Sequence, residues 1–284
     1  MTRNERGDED VSFGWSAPWI GWKHVSVGTA ANYYHRGDEP AEIQLIERTG
    51  VNTWVGFPLT ESRIRFSQIT CNLIFDKSLS GGRELEYKKE LSFSPQIGYR
   101  FDSRDSQIFP TRGGTFFSAV RLTYPLDDGR RTYYRFWNYM RGFREVHENV
   151  VIAGLSDFQY QFGDFPDYAV VKLGGPGTLR GFPFGRFEGY HRWFGTIECR
   201  YKFLPRKVFN FPYIKNFDVG LGVVGFLDSG ITWHDSDSFT LDNVHGTAGV
   251  GLRFYSPIRD VLRFDFGFSA TGDYQLHFGT GVRF

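Results

Sequence analysis

Period-two alternation is the feature that most constrains this chain. Apolar residues alternate with polar or small ones in segments of roughly ten residues, separated by turn-forming stretches. From Trp193 onward the odd positions read Trp193, Gly195, Ile197, Cys199, Tyr201 and Phe203, and the even ones Phe194, Thr196, Glu198, Arg200 and Lys202. Farther on, Val219, Leu221, Val223 and Leu227 oppose Asp218, Gly220, Gly222 and Asp228. Leu262, Phe264, Phe266 and Phe268 oppose Arg263, Asp265, Gly267 and Ser269. The last segment sets Tyr274, Leu276, Phe278, Val282 and Phe284 against Gln275, His277, Gly279, Gly281 and Arg283. Successive side chains of a strand point to opposite faces, so each segment has one apolar and one polar face.

Strands are expected at approximately 23–36, 41–58, 64–76, 90–104, 115–126, 132–146, 150–165, 190–204, 217–234, 244–256, 260–270 and 273–284, with the end of another near Val11. A soluble sandwich also alternates, with its apolar face turned inward. Most of these segments, however, exceed the mean strand of about 5–6 residues and match the roughly 9–11 that cross a bilayer at a tilt. Short connections (Thr60 to Arg63, His147 to Asn149, Ser256 to Asp260) punctuate longer ones (Lys77 to Lys89, Phe165 to Gly189). Outer-membrane barrels show that asymmetry, with short periplasmic turns and long external loops. The expected fold is all-β, an antiparallel transmembrane β-barrel with about twelve strands in this chain.

Composition agrees. The 34 Gly, 30 Phe and 15 Tyr among 284 residues suit strands and tight turns, not helices. Mean hydropathy is −0.36, which excludes little, because a barrel wall meets lipid with only every second residue. No run of about 18 apolar residues is present, so no transmembrane helix is expected. A formal charge of +1 implies no global attraction to nucleic acid. Cys71 and Cys199 lie far apart in sequence and carry no metal-ligand spacing.

Two segments stand apart from the pattern: GGPGTLRGF, Gly174 to Phe182, and GFLDSG, Gly225 to Gly230. The first is not a phosphate loop, because the Gly-Lys-Ser/Thr ending is missing and no helical pattern follows. Exposed Phe182, Phe184 and Phe187 would be wasteful in solvent. By alternation Glu198 and Asp228 fall on the polar face of adjacent strands. An arginine such as Arg180 in a low-dielectric interior needs a partner, and its planar fork suits carboxylates.

These segments carry a resemblance. Leu179-Arg180-Gly181-Phe182 resembles the V-R-G-F/Y loop of the BamA-type outer-membrane assembly superfamily, which also holds TamA, two-partner-secretion transporters and mitochondrial relatives. Phe226-Leu227-Asp228-Ser229-Gly230 is similar to its F-x-D-x-G strand motif. Gly195 to Tyr201 resembles the strand after the loop, and Asp102-Ser103-Arg104-Asp105 with Pro110-Thr111-Arg112-Gly113 resembles its D-x-R-D…P-x-R-G turn. The resemblance spans nearly the whole chain.

It implies a barrel of sixteen strands with the arginine loop folded inward between the fifth and sixth strands from the end. Phe226 and Gly230 are the motif's flanking positions, and Glu198 and Asp228 would hold Arg180. Tyr274, Phe278 and Phe284 resemble a C-terminal signal for insertion. Residues 1–284 would be one barrel domain, lacking the family's first four or so strands and its periplasmic POTRA domains; the chain would then present only one edge of the gate. The charged N-terminus has no signal-peptide core, which suits a piece of a longer chain or a mature form.

The implied function is insertion or translocation of outer-membrane or secreted proteins by strand-edge templating. Implied partners are outer-membrane lipid, unfolded β-barrel or secreted clients and accessory lipoproteins, with no nucleic acid, cofactor or metal. No catalytic residue is expected, since G-x-S-x-G and H-E-x-x-H are missing and the seven His are scattered. Trp233 and His234 are read as interface anchors. Two alternatives stay open: the barrel half of a patatin-like phospholipase fusion, and a complete twelve-strand rim enzyme.

Overall fold

The structure is a computed structural model describing residues 2–3, 9–21, 24–36, 44–62, 65–82, 85–127, 132–166, 169–209, 217–234, 239–255, 261–281 and 283. The strands are β1 (Thr2–Arg3), β2 (Glu9–Ile20), β3 (Val25–His35), β4 (Gln44–Glu61), β5 (Phe66–Gly82), β6 (Leu85–Asp102), β7 (Arg112–Pro125) and β8 (Tyr133–His147). They continue with β9 (Val150–Gly163), β10 (Val171–Leu173), β11 (Phe187–Gly189), β12 (His191–Phe209), β13 (Phe217–Trp233), β14 (His245–Tyr255), β15 (Leu262–Ser269) and β16 (Tyr274–Thr280). Fourteen of them form one meandering antiparallel sheet in chain order, β1 to β9 and then β12 to β16, while β10 and β11 pair with each other.

Most segments fall where the alternation puts them, and three expectations change. The stretch near Val11 is a full strand of 12 residues. The connection expected from Lys77 to Lys89 is mostly strand, since β5 runs to Gly82 and β6 begins at Leu85. The long segment before Gly189 carries the small β10–β11 hairpin. The Ser256–Asp260 turn lies outside the described residues, as does Phe284.

Which face is hidden is decisive. In the unit formed by Met1–Phe101, Phe117–Trp137 and Tyr160–Val170, the exposed face carries Leu73, Phe75, Ile97, Val120 and Tyr124. The hidden face carries Asp76, Ser94 and Thr123. There Arg48 pairs with Asp76, Ser94 Oγ meets Thr123 Oγ1 at 3.0 Å, and Arg121 donates twice to Gln96 Oε1 at 3.1 and 2.9 Å. A soluble sheet buries its apolar side; this arrangement is inverted, as lipid demands.

The second unit comprises Asp102–Phe116, Asn138–Gln159 and Val171–Phe284. Its strands show the same inversion, with Ile197, Leu227, Val250, Phe266 and Leu276 exposed and Thr196, Glu198, Asp228, Arg253 and Asp265 buried. Its β6–β7 turn is cross-braced. Asp105 accepts from Thr111 N (2.9 Å), Thr111 Oγ1 (2.6 Å) and Arg112 N (3.2 Å). Burial alone would raise the Asp105 carboxyl, but these bonds hold it below the usual carboxylate range. Arg104 closes a fork on Asp102, with Nε–Oδ1 3.0 Å and Nη2–Oδ2 2.7 Å.

Gly113 sits in this turn at φ 87°, and a Cβ there would lie 2.1 Å from the Ser103 carbonyl oxygen. Gly113→Ala is therefore expected to destabilise the protein by roughly 1–3 kcal/mol. Urea midpoints of the full-length protein in detergent check this. A wild-type midpoint would mean the turn has room it does not show.

Candidate functional site

The site is built from the wall β12–β16 and the segment between β9 and β12, the fifth and sixth strands of the sheet counted from the end. Register fixes its layout. Glu198 lies opposite Phe226 and Thr196 opposite Asp228. Phe226 and Asp228 then face Gly249 and Thr247 on β14. Gly249 faces Gly267 on β15, which faces Gln275 on β16. A row Glu198–Phe226–Gly249–Gly267–Gln275 thus crosses five strands, with side chains at its β12 end and two paired glycines clearing its middle.

The segment 174–186 folds onto this row. Its own bonds shape it: Gly175 N donates to Leu179 O (3.1 Å) and Phe182 O (3.0 Å), and Gly174 N to Thr178 Oγ1 (2.8 Å). Leu179 and Phe182 are buried with Leu173 and Phe194 in one apolar cluster. Phe182 also meets Phe187 edge-on at 5.0 Å, whereas Phe184 is 78% exposed. Phe187, partly buried, stacks on His245 at 3.6 Å.

Arg180 is completely buried. Its Nε donates to Asp228 Oδ2 at 2.9 Å, its Nη2 to Asp228 Oδ1 at 2.8 Å, and its backbone N to Asp228 Oδ2 at 3.1 Å. Its Nη1 donates to Glu198 Oε1 at 2.7 Å and lies 3.8 Å from Asp265 Oδ2. The guanidinium carbon sits 3.3 Å from the centroid of the Phe226 ring, a cation–π stack. Period two explains the F-x-D-x-G spacing, because it places all three named residues on one buried face. Phe226 underlies the guanidinium and Asp228 grips it. Gly230 leaves room where a Cβ would come 2.8 Å from Phe194 Cβ and 3.2 Å from Leu173 Cδ1.

Gly181 is required by a close approach and not by a left-handed backbone conformation. Its φ is not positive; a Cβ there would lie 2.7 Å from the Phe268 carbonyl carbon and 2.8 Å from Thr247 Cγ2. The loop backbone rests directly on β15.

Several further side chains join the network. Thr196 and Thr247 donate to Asp228 at 2.8 and 3.3 Å, and Arg283 Nη1 does so at 3.0 Å. Arg200 Nε donates to Glu198 Oε2 at 2.9 Å, and Arg253 Nη1 to Asp265 Oδ1 at 2.6 Å. His277 Nε2 donates to the Arg180 carbonyl at 2.9 Å, and Arg283 Nη2 to the Thr178 carbonyl. The strand alternation of Asp265, His277 and Arg283 gives their face but not their partner. Tyr274 and Phe278 are exposed on the opposite face of β16, at 69% and 65%. Trp233 is no exposed anchor: it is buried against His191 and Phe239, with Gly189 against its backbone. His234 is exposed, edge-on to Tyr190 at 5.1 Å. Cys71 and Cys199 are both free thiols.

Solved structures share this fold. BamA from Haemophilus ducreyi lacking POTRA domains 1–3 superposes with TM-score 0.73 at 18% identity, over 95% of this chain and 61% of that one. CdiB from Escherichia coli gives 0.64 at 17% identity, over 96% and 51%. CdiB from Acinetobacter baumannii gives 0.60 at 14%, over 96% and 50%. The chain thus spans between half and about three-fifths of the length of these structures. The Omp85 superfamily domain matches residues 1–284, and the chain belongs to the Omp85 superfamily.

Proposed function

We propose that this chain is the outer-membrane β-barrel of an assembly factor that inserts or translocates outer-membrane or secreted proteins by strand-edge templating. The observation that carries this reading is the attachment of the buried loop to the terminal strand. The carbonyl of Arg180 is held by His277 of β16, and that of Thr178 by Arg283 just beyond it. Among the described residues β16 pairs with β15 alone. Its other edge presents backbone N–H and C=O groups to an incoming strand. The loop braces the inner wall behind that edge while it is used. Clients are unfolded barrel or secreted chains, accessory lipoproteins assist, and no covalent catalysis is involved.

Two measurements test it. The full-length protein is expected to fractionate with outer membranes and resist carbonate extraction; recovery as a folded soluble monomer defeats the membrane assignment. A photo-crosslinking residue at Leu276 on β16 is expected to capture client chains during assembly, while one at Leu252 on the interior strand β14 is not. Equal capture at both positions, or none, removes the templating role.

A further inference from the structure

A small cavity of about 30 Å³ lies beside the arginine network, lined by Glu198, Arg200, Lys202, Arg253 and Arg283, with Val261 among its apolar walls. Two guanidinium donors of its lining, Arg253 Nη2 and Arg283 Nε, are buried and have no hydrogen-bond acceptor among the described residues. Both side chains are more than nine-tenths buried, at 6% and 4% exposure. Buried donors without acceptors are uncommon in native proteins and point to an unmodified need for a partner, a water or an ion.

Charge separates those two occupants. Around the cavity Arg180, Arg200, Lys202, Arg253 and Arg283 face three carboxylates, Glu198, Asp228 and Asp265. Arg263 stands directly opposite Arg253 across β14 and β15 and adds another cation, and its Nη1 is also buried without an acceptor. Like charges directly opposite each other destabilise a sheet. Arginine does not relieve such crowding by losing its proton. A water accepts from the orphan donors but leaves the excess charge in place, whereas an anion answers both needs. The cavity exceeds the roughly 10–15 Å³ that one water-sized occupant needs, and it is far below the several hundred Å³ of an organic-ligand pocket.

We propose that this cavity is a binding site for one small monovalent inorganic anion of chloride size, held by Arg253 and Arg283 and favoured by Arg200 and Lys202. The bound ion locks the C-terminal Arg283 into the network that holds the loop. The site stands whether or not the chain acts as an assembly factor, because its readouts are occupancy and stability.

The test uses full-length protein in detergent, with bromide as the probe. Crystals grown in bromide are expected to show an anomalous peak at the bromine edge between Arg253 Nη2 and Arg283 Nε. Density without anomalous signal means water and overturns the proposal. In solution, the melting midpoint is expected to rise with bromide against gluconate at constant ionic strength. Lys202→Met lines the cavity without breaking an ion pair described above, and is expected to raise the half-saturating bromide concentration roughly tenfold. A midpoint equal in the two salts, or an identical bromide response in K202M, also overturns it.

Discussion

Replacing Arg180 with alanine is expected to destabilise the full-length protein by about 3–5 kcal/mol, the range for removing one partner of a buried ion pair. Arg180 supplies four of the bonds that neutralise Asp228 and Glu198, which are 2% and 1% exposed. Its backbone N–H survives the substitution, and Arg200 and Arg283 remain beside the acids, so the loss belongs toward the lower end of that range. Asp228→Ala is expected to be at least as severe, because it strands donors from Arg180, Arg283, Thr196 and Thr247 together. Arg180→Lys keeps the charge but not the fork across both Asp228 oxygens, and should recover only part of the loss. A double-mutant cycle on Arg180 and Asp228, read by urea midpoints in detergent, should give a coupling of roughly 0.5–3 kcal/mol. Strict additivity would mean that the two side chains do not act as a pair.

A buried ion network of this kind is a poor source of net stability, since desolvation offsets much of the Coulomb gain. What it supplies is position. Five residues on two strands, one loop and the C-terminal segment converge on Asp228 and Glu198, and Arg180 reaches both acids only when the loop lies at one depth. An apolar loop could be packed as tightly yet slide along the wall. If the chain has the proposed assembly role, the loss of activity in Arg180 and Asp228 variants is therefore expected to exceed what their stability alone explains.

The sequence made the strands legible because lipid on one side and a polar interior on the other enforce strict alternation. Ile197, Tyr201, Val223, Leu227, Phe264 and Phe266 could be assigned to the exposed face from period two alone. The same rule put Glu198 and Asp228 on one face, and Arg180 hydrogen-bonds to both. Where the rule has no physical cause it falls silent. From Lys77 to Gly82 the chain reads as a loop, yet β5 continues, because hydrogen bonding alone sustains a strand whose outward residues need not be apolar. Trp233 looked like an interface residue but is covered by the end of β11. Asp265, His277 and Thr247 joined the site through strand register, and Arg283 from just beyond β16, which no local pattern encodes.

Gly267→Val is expected to expel the loop. A Cβ at this position would lie 2.6 Å from both the carbonyl carbon and oxygen of Arg180 and 2.8 Å from Gly181 N. All three are backbone atoms, so no flexible side chain can turn aside, and Gly181 in its turn has no slack against Phe268. Valine is otherwise a good strand former, so any loss reports the collision and not a weaker strand. If the loop leaves, Arg180 loses Asp228 and Glu198 together, and the destabilisation should reach at least about 3 kcal/mol. The control is Gly225→Val on β13, where a Cβ meets nothing within 4 Å on the exposed face. That variant should stay within about 0.5 kcal/mol of the wild type. Limited proteolysis supplies the structural readout: cleavage between Gly174 and Arg186 should appear in the Gly267 variant and stay undetectable in the Gly225 variant. Protection of the loop in Gly267→Val would show that its backbone does not rest on β15, and with that the depth at which Arg180 is held would need another cause.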